Sequence, residues 1–105
     1  MPYVMLQFDR PDDVRNWNEY NRRARGWIDR LLKQPGAVAF TAYRTADGSS
    51  PNTMVMVEFG TLEEARRGST SQATSAVIEE LRSLTVAPKM QILERSPYTP
   101  EPIRA

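Results

Sequence analysis

The side chains able to do chemistry fall into a narrow set. The sequence has 105 residues, none of them histidine or cysteine. The commonest general base, the commonest metal ligand and every thiolate nucleophile are therefore absent. Carboxylate, phenol, amide and hydroxyl chemistry remains. Gln7 and Glu58 each interrupt an apolar, strand-like run. A carboxylate among apolar neighbours has its pKa raised and can serve as a general base. Apolar flanks and the absence of another catalytic partner favour a structural role: Glu58 pairing with an arginine of a second subunit, and Gln7 bonding across a two-fold axis. Trp17, Tyr20, Asn21 and Trp27 recur at helical spacing. Trp17, Tyr20 and Asn21 could line a pocket for a flat aromatic ligand, Tyr20 and Asn21 supplying hydrogen bonds. The alternative for such a stripe is plain core. An Asn in it needs a partner if buried. Tyr43, adjacent to Arg44 in a strand-like run, is a further pocket candidate. Alternation puts the two on opposite faces, so one pocket should not use both, and Arg44 reads as edge-strand charge. No set of metal ligands is apparent.

These residues must be positioned by about six elements. Residues 3–8 and 53–59 are short β-favouring runs, and residues 37–45 and 89–95 complete a set of four strands. Pro11-Asp12-Asp13 starts a helix that reaches Gln34, where Pro35-Gly36 stops it. Gly26 weakens that helix unless something packs closely against it. Asp47 to Asn52 is a turn cluster that joins two strands into an antiparallel hairpin. Thr61 with Glu64 three residues later forms a capping box for a second helical stretch. Gly68 to Ser71 interrupts this stretch, either as a lid pivoting on Gly68 or as a capping turn at Ser69. A longer helix then runs to about Ser83. The order βαββαβ predicts an α+β, ferredoxin-like protomer, with an antiparallel four-stranded sheet and both helical segments on one face. The first and third strands should be central. Residues 1–95 form the domain, and 96–105, with three prolines, an extended tail.

Composition limits the partners. Fourteen basic and 13 acidic residues give a net charge of +1, which argues against a nucleic-acid binder. No apolar run approaches the roughly 20 residues a membrane span requires, so the expectation is a cytoplasmic protein. Both faces of the central strands are apolar: Val4, Leu6, Phe8, Val55, Val57 and Phe59 oppose Tyr3, Met5, Met54 and Met56. Helices can cover only the first set. The Met-rich set predicts an interface, and a homodimer is the commonest way to cover one.

The chain resembles the dimeric α+β barrel superfamily, in particular its antibiotic-biosynthesis-monooxygenase-like and stress-responsive families. The residues that carry this are Leu31-Leu32-Lys33-Gln34-Pro35-Gly36 leading into the strand Ala37 to Arg44. Thr53 to Phe59 passing through Gly60-Thr61-Leu62-Glu63-Glu64-Ala65 into a helix is the second match. The resemblance spans residues 3–95 and implies two sheets packed face to face, with a pocket between sheet and helices. It covers cofactor-independent oxygenases, haem-degrading enzymes, isomerases and proteins with no established activity. The haem-degrading members use an axial histidine that this chain lacks. Many oxygenase-like members end the third strand with Trp, where Phe59 stands here. The resemblance transfers no catalytic residue and implies no cofactor. The expected function is binding of a small aromatic or apolar ligand, with monooxygenase-like turnover as its catalytic form. The alternative is a non-catalytic structural or interaction dimer.

Overall fold

A computed structural model describes all residues, 1–105. Its elements run β1 (Tyr3–Phe8), α1 (Val14–Leu32), β2 (Ala37–Arg44), β3 (Thr53–Phe59), α2 (Leu62–Ser69), α3 (Gln72–Ser83) and β4 (Lys89–Leu93). The strands form one antiparallel sheet in the order β2-β3-β1-β4, so β1 and β3 are central. The architecture is the ferredoxin-like α+β fold expected from the element order.

Local chemistry sets the helix ends. The Asp13 carboxylate accepts from Asn16 N at 2.8 Å and caps α1. Thr61 Oγ1 accepts from Glu64 N at 3.1 Å and caps α2. The break after α2 differs from both sequence-based expectations. Ser71, not Ser69, caps α3 by accepting from Thr74 N at 3.2 Å. Ser69 lies inside the last turn of α2 and donates to Arg66 O at 2.7 Å. Gly68 is no pivot. It is buried in that helix, where an added Cβ would lie 2.4 Å from Phe59 Cζ. A glycine is needed there to let α2 settle onto the sheet.

The core lies between the sheet and the helices. Val4, Leu6, Phe8, Val57 and Phe59 meet Trp27, Leu31, Ala65, Val77 and Leu81. Burial of these side chains supplies the main stabilisation, about 1.5–3 kcal/mol for each large one. Buried Gln34 ties the end of α1 to the start of α3. Its Oε1 accepts from Ser71 and Thr74, and its Nε2 donates to Leu31 O at 2.9 Å. On the outside, Glu80 of α3 pairs with Arg30 and Arg23 of α1. The hydrogen bond from Arg30 is the main reason its carboxyl is held below the ordinary value.

A carboxyl lowered on folding contributes stability above its unfolded pKa, and that contribution is lost as pH falls through the folded value. Glu80→Gln should therefore flatten the loss of stability below about pH 4.5 and leave the profile above neutrality parallel to wild type. Thermal melts across that range check this. Because both partners are partly exposed, added salt should shrink the difference.

The other side of the sheet carries no helix. Strand register places Tyr3, Met5, Gln7, Met54, Met56, Glu58, Thr41, Tyr43, Gln91 and Leu93 there. Met5 is already 4% exposed, so its neighbours cover it within the single chain; Met54 and Met56 are half-buried. Residues 94–105 are all exposed, with a turn closed by Thr99 N to Ser96 O at 3.2 Å.

Candidate functional site

The widest opening on the helix side lies between α1 and β2. Two features of the fold leave it open. First, β2 is an edge strand, and α2 packs against β1, β3 and β4. Among the helices, α1 makes the main contact with β2. Second, α1 carries two adjacent stripes. Tyr20, Ala24, Trp27 and Leu31 point into the core, whereas Trp17, Asn21 and Ile28 lean toward the uncovered strand. Between them and Phe40, Ala42 and Val55 lies a cleft of about 410 Å³. That falls within the size range of ligand sites, roughly 300–1,000 Å³.

Strand β2 presents this face because of a bulge. Ala37 pairs with Phe59 and Ala39 with Glu58, so Val38 is the extra residue. Beyond it, Phe40 lies opposite Val57, Ala42 opposite Val55 and Arg44 opposite Thr53, all on the helix side. The small Ala42 side chain leaves the cleft its depth.

The aromatic wall is built around Tyr20. Its ring stacks on Trp17 at 6.2 Å between centroids and meets Phe8 and Trp27 edge-on at 6.2 and 5.5 Å. Burial pushes the Tyr20 phenol up, with the Arg10 charge opposing this, so at neutral pH it is a hydrogen-bond donor and not a base. Arg10 lies over the other part of this wall, its guanidinium 5.2 Å from the Trp17 ring centroid.

A short latch sets the position of Arg10. The Asp9 carboxylate accepts from Asn52 N at 2.9 Å and from Ser50 Oγ. Asn52 Oδ1 in turn accepts from Arg10 N at 3.0 Å and from Thr53 Oγ1 at 3.0 Å. The end of β1 and the β2–β3 hairpin are thus tied together at the head of the cleft.

The sequence candidates separate into two groups. Trp17, Tyr20 and Asn21 border the same cleft. Asn21 is exposed on its rim, so water satisfies its amide and no protein partner is required. Tyr43 points to the open sheet side, level with Met54 and Gln7, and meets the cleft only around the strand edge. Tyr43 and Arg44 both border the cleft although they alternate, because the opening wraps around an edge strand. Gln7 and Glu58 share the open face but sit at opposite ends of it. Gln7 is level with Met54 and Glu58 with Tyr3, four residues and about 13 Å along β1. Glu58 lies on the open face, across the sheet from the cleft, and does not border it. Gln7, Tyr43 and Met54 border a second depression of about 290 Å³ beneath the hairpin loop.

Sequence reasoning missed Arg10 and gave Arg44 only an edge role. Arg44 was within reach: two positions from Ala42 and four from Phe40, it shares their face. Nothing local marks Arg10, whose placement depends on the long-range latch to Asn52.

No protein-family model matches the chain, and no curated protein is similar to it in sequence. Its fold has clear counterparts among solved structures. A candidate antibiotic biosynthesis monooxygenase from Deinococcus radiodurans superposes with a TM-score of 0.73 at 10% identity, over 100% of this chain and 98% of that one. SnoaB from Streptomyces nogalater, a cofactor-independent oxygenase, gives 0.68 at 17% identity over 95% and 97% of the two chains. An ethyl tert-butyl ether d (EthD) family protein from Bacillus halodurans gives 0.66 at 16% identity over 91% and 99%. The chain therefore has the ferredoxin-like α+β fold of the antibiotic-biosynthesis-monooxygenase-like proteins, along its whole length. No helix of the chain is long and apolar enough to cross a membrane.

Proposed function

We propose that this protein binds a small, flat, largely apolar ligand in the α1–β2 cleft and works as a homodimer joined through the open sheet face. The observation that carries the binding role is the cleft itself, about 410 Å³ with mostly apolar walls and Trp17, Tyr20 and Asn21 along one side. Oxygenase-like turnover is the catalytic form of this reading. It draws support from the structural likeness to SnoaB, a cofactor-independent oxygenase. The cleft contributes hydrogen-bond donors and cations but no carboxylate. A substrate reacting there would have to be ionised already and to reduce dioxygen itself. The chain's part is then to orient the ring. The dimer is supported by the half-buried Tyr3, Met54, Met56 and Leu93 and the exposed Tyr43 on the helix-free face, and by the barrel resemblance of the sequence.

Native mass spectrometry of protein purified from its own host tests both parts. The expected species has twice the 12.0 kDa chain mass and carries a retained small molecule. A bare 12.0 kDa species at micromolar concentration overturns the dimer.

A further inference from the structure

The cleft is polarised. At the hairpin end, Arg10 and Arg44 flank Thr53: Arg44 is its register partner on β2, and Arg10 follows the β1 segment whose Phe8 is its partner on the other side. At the other end are Ala24 and Ile28, with Phe40 and Val55 as the floor. No acidic residue lines the cleft. The ion pairs of the chain engage Arg22, Arg23, Arg25, Arg30 and Arg67, and neither Arg10 nor Arg44. In a chain with 14 basic and 13 acidic residues, two unpaired arginines converging on one opening are a local excess of positive charge.

Arg10 is also incompletely satisfied. Its Nε is buried and has no hydrogen-bond partner. A buried donor without an acceptor is costly. The guanidinium lies over the Trp17 ring, and no hydrogen bond within the chain engages it. The Asp9–Asn52 latch fixes the backbone from which it projects. A planar fork of donors beside an apolar slot matches a planar acceptor that carries a hydrophobic body.

We infer that the cleft takes an aromatic carboxylate, its ring along Phe40, Val55 and Trp17 and its carboxylate on Arg10, with Arg44 adding charge from the strand edge. This rests on the proposed binding role of the cleft and names the class of ligand. Arg10 is the specificity-determining residue: it separates an acid from the neutral molecule of the same shape, because the neutral form leaves the guanidinium unpaired.

The probes are 2-naphthoate, its isosteric neutral amide 2-naphthamide, and acetate, titrated into the full chain with Trp fluorescence and calorimetry as readouts. Naphthoate should bind at least tenfold more tightly than naphthamide, and the advantage should shrink with added salt. Acetate should not compete at equal concentration, since it lacks the ring. Arg10→Met should abolish the naphthoate preference, so that acid and amide bind with similar affinity. Arg44→Met, at an exposed position, should reduce the preference in part and serves as a second variant should Arg10→Met melt early. Equal affinity for acid and amide in the wild type overturns the inference and leaves the binding role standing. If neither naphthyl compound binds at millimolar concentration, the inference and the binding role fail together.

Discussion

Gly68→Ala will lower the melting temperature, whereas the same substitution at Gly26 will raise it. Both glycines lie inside helices, where alanine is intrinsically favoured by about 1 kcal/mol. Their surroundings decide the sign. At Gly26 a new Cβ meets nothing within 4 Å, so the propensity gain of about 0.5–1 kcal/mol is realised. At Gly68 the Cβ would lie 2.4 Å from Phe59 Cζ and 2.8 Å from Cε1. Phe59 is fully buried at the centre of the core and cannot step aside. Overpacking of this kind costs about 1–3 kcal/mol or more, which exceeds the propensity gain. For a domain of this size, each kcal/mol shifts the melting temperature by roughly 4–8 °C. Differential scanning calorimetry of the two variants reads the contrast directly. A double-mutant cycle with Phe59→Leu should show a favourable coupling of about 0.5–3 kcal/mol with Gly68→Ala, because the smaller side chain makes room. Additive effects would mean that the two residues do not press on each other.

The second large effect concerns the cleft. Ala42→Trp places an indole on an exposed position of β2, facing Trp17 and Asn21 across the opening. The strand edge can carry the side chain without disturbing the core, so stability should change by less than about 1 kcal/mol, as for surface substitutions generally. Ligand binding should weaken by more than tenfold because the space is filled. Unchanged affinity for a naphthyl probe, in a variant that melts like wild type, would place the binding site elsewhere.

How much of this was legible in the sequence differs between fold and site. The short β-favouring runs of β1 and β3 and the Pro35-Gly36 stop are local signals that placed these elements, and the order βαββαβ put β1 and β3 at the centre, as observed. The break near Gly68 was visible as a cluster of small residues, but its geometry was not. Ser71, the cap of α3, is also bonded with Thr74 to Gln34, which arrives from the end of α1. That contact spans some forty residues of sequence. The helix stripe of Trp17, Tyr20 and Asn21 was readable from periodicity alone. Its counterpart on β2 was harder, because the bulge at Val38 changes which residues share a face with Ala37. Tyr43 borders the cleft from the strand edge, and Arg44, which the register places on the helix side, borders it too. Gln7 and Glu58 were rightly read as sharing one face, yet alternation says nothing about distance along a strand. Their separation follows from pairing with Met54 and Tyr3.

The central claim, that the α1–β2 cleft is the ligand site, is tested most directly by mapping amide and indole NMR shifts during titration with 2-naphthoate. The account predicts perturbations at the Trp17 indole and at Tyr20, Asn21, Phe40 and Ala42, with the open-face residues Met54, Met56 and Glu58 unmoved. Perturbations confined to Gln7, Met54, Met56 and Glu58 would contradict it and assign binding to the other side of the sheet.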